Sequence, residues 1–551
     1  MSKAAEANLV KLSPRAIVHL RAQHREKRLG LIFGAGISID LGYPRWDQLV
    51  RDIASDEGVG ADKIWEKLEK KGAGGSAITR SLASVTQMLF SEFRTKQIDE
   101  LSLRPPLSFV AERKIKTSWM RLLHKQIYQG QTDEERKRNL KKHPYLNSFN
   151  KIIKQSPLTV TYNFDDSIEQ MLAHSRSSGE KETSRGYETI DRPKSQCRRS
   201  NSVIYHPNGY LPAVFENGAS ADIVFADDSF QDQLLSAANG KYFHLSGHLF
   251  KNTCLLIGLS LNDSTLQSLL RQNAVQNPGN IHYFVHFTPE GDKRDEEIEA
   301  AIFEANFESF GLYTLFLNSS EIKTLAELIE METSTFASRH AKLKPKFVYY
   351  MIGSVGAGKS TAASNMRNLI TYDEWIDERK PELAIPEDEV DKGKMNSLNS
   401  WIADQFHKKN FAMQDCKEGI HVIDRAPLDP LTFGPVEDRS KKANMLIEKI
   451  TDDGAWKIEP GHIIELSATL EEIRIRNSLK HKFWPDDKYQ KLLDKIEEVY
   501  GKLDRSVVST TGRSIQEVSK HISRIIFVDE YKPTNIQEQL EIHAKKKSDG
   551  V

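Results

Sequence analysis

The chain is 551 residues long, which at roughly 150 residues per domain predicts about two to four domains. Lys+Arg and Asp+Glu each number 77, so the formal charge is zero and the field of a dedicated nucleic-acid binder is excluded. Hydrophobic residues make up 39% and charged ones 28%, a soluble globular balance, and no run of about eighteen apolar residues offers a membrane span.

The stretch from Met1 to Arg28 is polar and basic and lacks the apolar core of a signal peptide. Cys197, Cys254 and Cys416 are scattered, with no CxxC and no metal-ligand pair, which fits a reducing, cytoplasmic compartment. Ser13 to Lys27 reads as a helix and Leu29 to Phe33 as a strand that ends in the glycine turn Gly34-Ala35-Gly36-Ile37-Ser38. Residues 59–143 read as a polar helical insertion. Strands are predicted at Leu158 to Tyr162, Ser202 to Tyr205, Ile223 to Phe225, Thr253 to Ile257, Ile281 to Phe287 and Leu312 to Leu317, with helical patterns between them. That alternation predicts an α/β domain over residues 1–335, with a Rossmann-like, doubly wound parallel sheet.

Gly34-x-Gly36 alone is a weak signal, because Ile39 stands where a dinucleotide fingerprint has its third glycine. Its company strengthens it. Thr161-Tyr162-Asn163-Phe164-Asp165, Tyr205-His206-Pro207-Asn208-Gly209 and Gly258-Leu259-Ser260-Leu261-Asn262-Asp263 each follow a predicted strand, so the fold gathers them at one sheet edge. Simpler readings stand beside this one: Asn163 and Asp165 can cap the helix starting near Ser167, and Asp263 can cap the next. His244 and His248 are four apart, but a strand-like surround without a cysteine or carboxylate triad argues against a metal site.

This ordered set resembles the sirtuin superfamily, and more closely the sirtuin-like NAD-cleaving effectors of bacterial antiphage defence. The resemblance implies that Gly34, Ala35, Gly36 and Ser38 contact the NAD+ pyrophosphate. Asn163 and Asp165 would hold the nicotinamide ribose, and Gly258, Ser260 and Asp263 would approach the adenosine. Such a site suits N-glycosidic cleavage, in which nicotinamide leaves a cation-like sugar and Asn163 supplies a dipole without a competing charge. The scattered cysteines cannot build the zinc module of sirtuin deacylases. The family often has its histidine directly before the glycine, where this chain has Asn208. Either His206, on the same side of an extended segment, takes over as general base, or the domain mainly binds NAD+.

Residues 336–346 read as a basic, proline-containing linker to a second α/β domain over 347–551. Phe347 to Ile352, Ile420 to Ile423, His462 to Leu466 and Arg524 to Val528 are its predicted strands. Gly353-Ser354-Val355-Gly356-Ala357-Gly358-Lys359-Ser360-Thr361 satisfies the P-loop (Walker A) pattern: backbone N–H groups wrap the phosphates of ATP or another nucleotide, Lys359 neutralises them and Ser360 binds Mg2+. Asp424 and Arg425 close a buried strand, where Asp424 can orient a magnesium water or accept a proton and Arg425 can hold an acceptor phosphate. Arg474, Arg476, Lys480 and Lys482 fit a cationic lid. Loop, Asp-Arg pair and lid together resemble the P-loop nucleoside and nucleotide kinases, which implies a nucleotide ligand that is either phosphorylated or only sensed.

The combined expectation is a cytoplasmic, homo-oligomeric NAD+ hydrolase and antiphage effector, gated by a nucleotide or other phage-induced trigger at the P-loop domain. The alternative is a nucleoside or nucleotide kinase with an NAD-binding regulatory domain.

Overall fold

The computed structural model describes residues 3–61, 82–174, 186–192, 202–221, 223–225, 243–340, 345–384, 390–416, 418–478 and 485–545. The chain is an α/β protein with two parallel sheets. It divides into a first unit of residues 1–8, 23–273 and 282–330, and a second of 9–22, 274–281 and 331–551.

In the first unit, β1 (Leu29–Phe33), β2 (Thr159–Thr161), β3 (Tyr187–Ile190), β4 (Ser202–Tyr205), β5 (Thr253–Ile257), β6 (His282–Phe287) and β7 (Leu312–Leu317) lie in the order β3-β4-β2-β1-β5-β6-β7. The continuous apolar runs of β1 and β5 are buried along their whole length, as strands covered on both faces must be. Phe33 pairs with Thr161 on one side and Ile257 on the other, so β1, β2 and β5 end flush. The chain leaves β1 toward β2 on one side and later returns to β5 on the other, which makes the end of β1 a switch point where α/β sheets open a crevice. Helices Leu82–Glu100, Phe109–Tyr128 and Asp133–Lys142 fill the stretch before β2.

In the second unit, β8 (Lys346–Ile352), β9 (Ile370–Tyr372), β10 (Gly419–Asp424), β11 (His462–Ser467) and β12 (Arg505–Ser509) lie in the order β12-β11-β8-β10-β9. Here β8 is flanked by β10 and β11, so the P-loop leaves the sheet at the equivalent switch point.

Three local expectations are corrected. Arg524 to Val528 is not a strand: Ile525, Ile526 and Phe527 end the helix Ile515–Phe527, whose start carries a Ser514/Glu517 capping box and whose buried face runs through Val518 and Ile522. Ile223 to Phe225 is not a strand: it joins no ladder, and Val224 N–H donates instead to the Asn208 carbonyl at 2.8 Å. His248 lies on the helix Phe243–Lys251, not in a strand-like surround, and burial pushes its pKa down to about 4. No helix among the described residues is long and apolar enough to cross a membrane.

Candidate functional sites

In the first unit the glycine turn presses directly on the end of β5. Gly34 N–H donates to the Ile257 carbonyl at 3.0 Å and Gly36 N–H to that of Gly258 at 2.9 Å. A side chain at Gly34 would come within 2.5 Å of the Gly258 carbonyl oxygen, and one at Gly36 within 2.7 Å of the Gly258 Cα. Only glycine permits that approach. Ala35 stays exposed, while the short helix Gly36–Ile39 buries Ser38.

From the neighbouring β2, Asn163 reaches across to this turn. Its Nδ2 donates to the Gly34 carbonyl at 3.0 Å and to Ser38 Oγ at 2.8 Å, and Ser38 Oγ donates onward to Asp165 Oδ2 at 2.7 Å. Asn163 Oδ1 makes no hydrogen bond among the described residues, although the side chain is nearly buried. Asp165 also caps the helix Ser167–His174, accepting from Ser167 N–H at 3.0 Å and from its hydroxyl. The capping and site readings of Asp165 therefore describe one arrangement.

His206 lies differently from an open general base. Its ring is fully buried, Nδ1 is 2.9 Å from the Asn163 carbonyl oxygen and Nε2 is 3.0 Å from Glu169 Oε1. Both partners are acceptors, which suits an imidazolium donating from each nitrogen. Burial alone would lower its pKa, but the Glu169 charge and the hydrogen bonds outweigh that and raise it. His206 thus braces Asn163 from behind. Asn208 Nδ2 donates to the Tyr162 carbonyl at 3.4 Å. Gly258 joins the cluster through the glycine turn, but Ser260 is exposed, and Asp263 Oδ1 caps the next helix by accepting from Leu266 N–H at 2.7 Å.

Residue-by-residue reading missed Glu169. Its signal was an acid on a short helix among the apolar Ile168, Met171 and Leu172, a position that demands a buried partner.

In the second unit, Gly353, Gly356 and Gly358 all take positive φ, at +135°, +87° and +103°, which lets the P-loop curl. Lys359 Nζ folds back onto the carbonyls of Gly353 and Ser354 at 2.8 and 3.0 Å, and burial together with the Arg425 charge lowers its pKa to about 8. Ser360 Oγ donates to Asp424 Oδ2 at 2.6 Å, while Asp424 Oδ1 is buried without a hydrogen-bond partner among the described residues. A hydroxyl and a carboxylate with one orphaned oxygen fit Mg2+. Thr361 is exposed on the following helix.

Arg425 has φ +75°, a strained setting for a side chain, and turns its guanidinium onto Glu374 Oε1 at 2.7 Å and Asp429 Oδ2 at 3.3 Å. Burial would raise the pKa of Glu374, but the guanidinium holds it below the usual range. Burial pushes the pKa of Asp429 up, and its carboxylate also accepts from the Tyr500 hydroxyl at 2.6 Å.

The expected lid residues divide. Arg476 holds Thr510 Oγ1 at 2.9 Å and the Gly356 carbonyl at 3.4 Å, and its neighbour Asn477 holds the Val355 carbonyl at 3.1 Å, so this helix supports the P-loop backbone. Arg474 is exposed, 3.7 Å from Asp486. Lys480 and Lys482 lie outside the described residues.

Residues 157–310 match the model of the SIR2-like domain. No curated protein matches the chain. Two solved structures of deoxyadenosine kinase from M. mycoides are similar, one with the product dCMP and a flexible dCDP bound and one with dATP. Each is 13% identical, covers 32% of this chain and 96% of its own, and has a TM-score of 0.25 or 0.26.

Proposed function

We propose that the chain is an NAD+ glycohydrolase whose P-loop unit gates it by binding a nucleotide with Mg2+. The observation that carries this reading is Asn163. Its amide nitrogen is fixed by Gly34 and Ser38 and its Oδ1 makes no hydrogen bond among the described residues, at a switch point of the kind where open α/β sheets bind ligands. In cleavage the ribose C1′–nitrogen bond breaks, its electron pair leaves with neutral nicotinamide, and positive charge develops on the sugar. The fixed negative end of the Asn163 dipole stabilises that charge, and water adds at C1′ as its proton passes to bulk solvent. Asp165 orients Ser38, and His206 acts as a positioning residue that holds the Asn163 backbone through Nδ1.

Asn163→Ala is expected to lower nicotinamide release by about 100-fold or more with the melting temperature little changed. Release unaffected by this substitution overturns the assignment. The resemblance to defence effectors supports a homo-oligomer that answers a nucleotide altered during phage infection and stops the infected cell by consuming NAD+.

One arrangement favours the second reading, a nucleoside or nucleotide kinase with an NAD-binding regulatory domain. Two carboxylates already offset Arg425, so an acceptor beside it meets no surplus positive charge, which suits an uncharged hydroxyl. Phosphate gained by a nucleoside while NAD+ stays intact would select it.

A further inference from the structure

We infer that Lys409, which lies outside the P-loop and the Asp-Arg pair, sets the geometry of the magnesium site by tying the ends of β9 and β10 together. The inference rests on the reading that the second unit binds a Mg2+-nucleotide. Lys409 is 1% exposed on the helix Lys392–Asp415 and has no carboxylate within ion-pair distance among the described residues. Its ammonium instead donates to two backbone carbonyls, those of Glu374 and Asp424, each at 2.9 Å. The charges of Asp424, Glu374 and Asp429 act on the ammonium, but among the described residues it pairs directly with none of them, and an apolar side chain would fill the same space without the cost of burying a charge, so its position calls for a reason beyond packing.

The ladder supplies one. Pairing between β9 and β10 runs from His421↔Ile370 to Ile423↔Tyr372 and stops there. Asp424 and Glu374 lie just past the last pair, where ladder hydrogen bonds no longer fix the two strands against each other. Lys409 replaces them. The residues it ties carry the carboxylates of the site: Asp424 accepts from Ser360, and Glu374 grips Arg425. One helical turn earlier, the fully buried Gln405 accepts from Ile376 N–H and Asp377 N–H, both at 3.0 Å, so the same helix clamps the segment after β9 at two levels. Groups behind a metal ligand orient it, and losing one weakens the metal more than the remaining ligands.

The test is binding of a fluorescent ATP analogue to the full chain, first in EDTA and then titrated with Mg2+, for wild type, Lys409→Met and Lys409→Arg. With Met, the nucleotide affinity in EDTA is expected to stay within about threefold of wild type, while the Mg2+ concentration for half-maximal tightening rises about tenfold or more. Arg, which keeps the donor charge, should fall between the two. Folded variants with the wild-type Mg2+ response overturn the inference, as does an equal loss with and without Mg2+, the mark of a purely structural lysine. If the Met variant does not fold, the Arg variant decides: a displaced Mg2+ midpoint supports the tie and an unchanged one overturns it. Failure of the wild-type chain to bind Mg2+-nucleotide overturns the underlying reading and the inference with it.

Discussion

His206 and Glu169 form an ion pair with side chains 0% and 3% exposed, and its charge state sets how firmly Asn163 is held. The folded-state pKa of His206 is raised, so the pair contributes stability that is fully present below the unfolded value of about 6.5 and is lost as pH rises through the folded one. Melting of the full chain between about pH 6 and pH 9 should therefore show a decline that His206→Gln flattens. Glu169→Gln strands the histidine and is expected to cost about 3 kcal/mol at the acid end of that range. A pH profile shared by wild type and His206→Gln would remove the pair from the account. Glu169 also illustrates what a sequence conceals. The P-loop is legible because its chemistry needs contiguous residues, whereas Glu374, Lys409 and Asp429 come from three separate places in the chain and meet only once the sheet is built. His206 was legible as a candidate, but its orientation was not, because its partner lies 37 residues away.

Elements divide along the same line. The central strands β1, β5, β8 and β10 announce themselves as apolar runs because both their faces are covered. The strands not anticipated are β3, β9 and β12, and all three lie at sheet edges, where short, partly exposed segments such as Tyr187–Ile190 and Arg505–Ser509 carry little apolar signal. The helix Ile515–Phe527 was mistaken at its end for the reverse reason: consecutive buried residues there come from a wide helical face. Packing at the glycine turn gives this scale its test. Gly36→Ala drives a methyl into the Gly258 backbone and is expected to cost about 2 kcal/mol or more. Gly247→Ala, on the helix Phe243–Lys251 with nothing within 4 Å, should gain about 0.5–1 kcal/mol. Denaturant melts of the two variants check both signs, and equal effects would contradict the packing argument.

Across the whole molecule, the second unit is not one continuous stretch of chain. Residues 9–22 belong to it, and Arg15 caps the end of the helix Ile515–Phe527 by donating to the Ile526 carbonyl at 2.8 Å and the Val528 carbonyl at 3.1 Å. Arg21, wholly buried, pairs with Glu418 at 2.8 Å and stacks 3.9 Å over Phe336. A fragment beginning at Lys346 would leave Glu418 buried without its arginine, and it is expected to be poorly soluble or to melt without cooperativity. A sharp, wild-type-like transition for that fragment would contradict the role given to residues 9–22. The boundaries of such a unit escape any reading that follows the chain in one direction, because segments far apart in sequence complete a single core.

The most direct measurement is chromatography of NAD+ incubated with the full chain, alone and with nucleoside mono-, di- and triphosphates plus Mg2+, beside Asn163→Ala and Lys359→Ala. The account predicts nicotinamide release that requires Asn163 and rises with a nucleotide only when Lys359 is present. NAD+ left intact under every condition, while a nucleoside or nucleotide gains a phosphate, would contradict it.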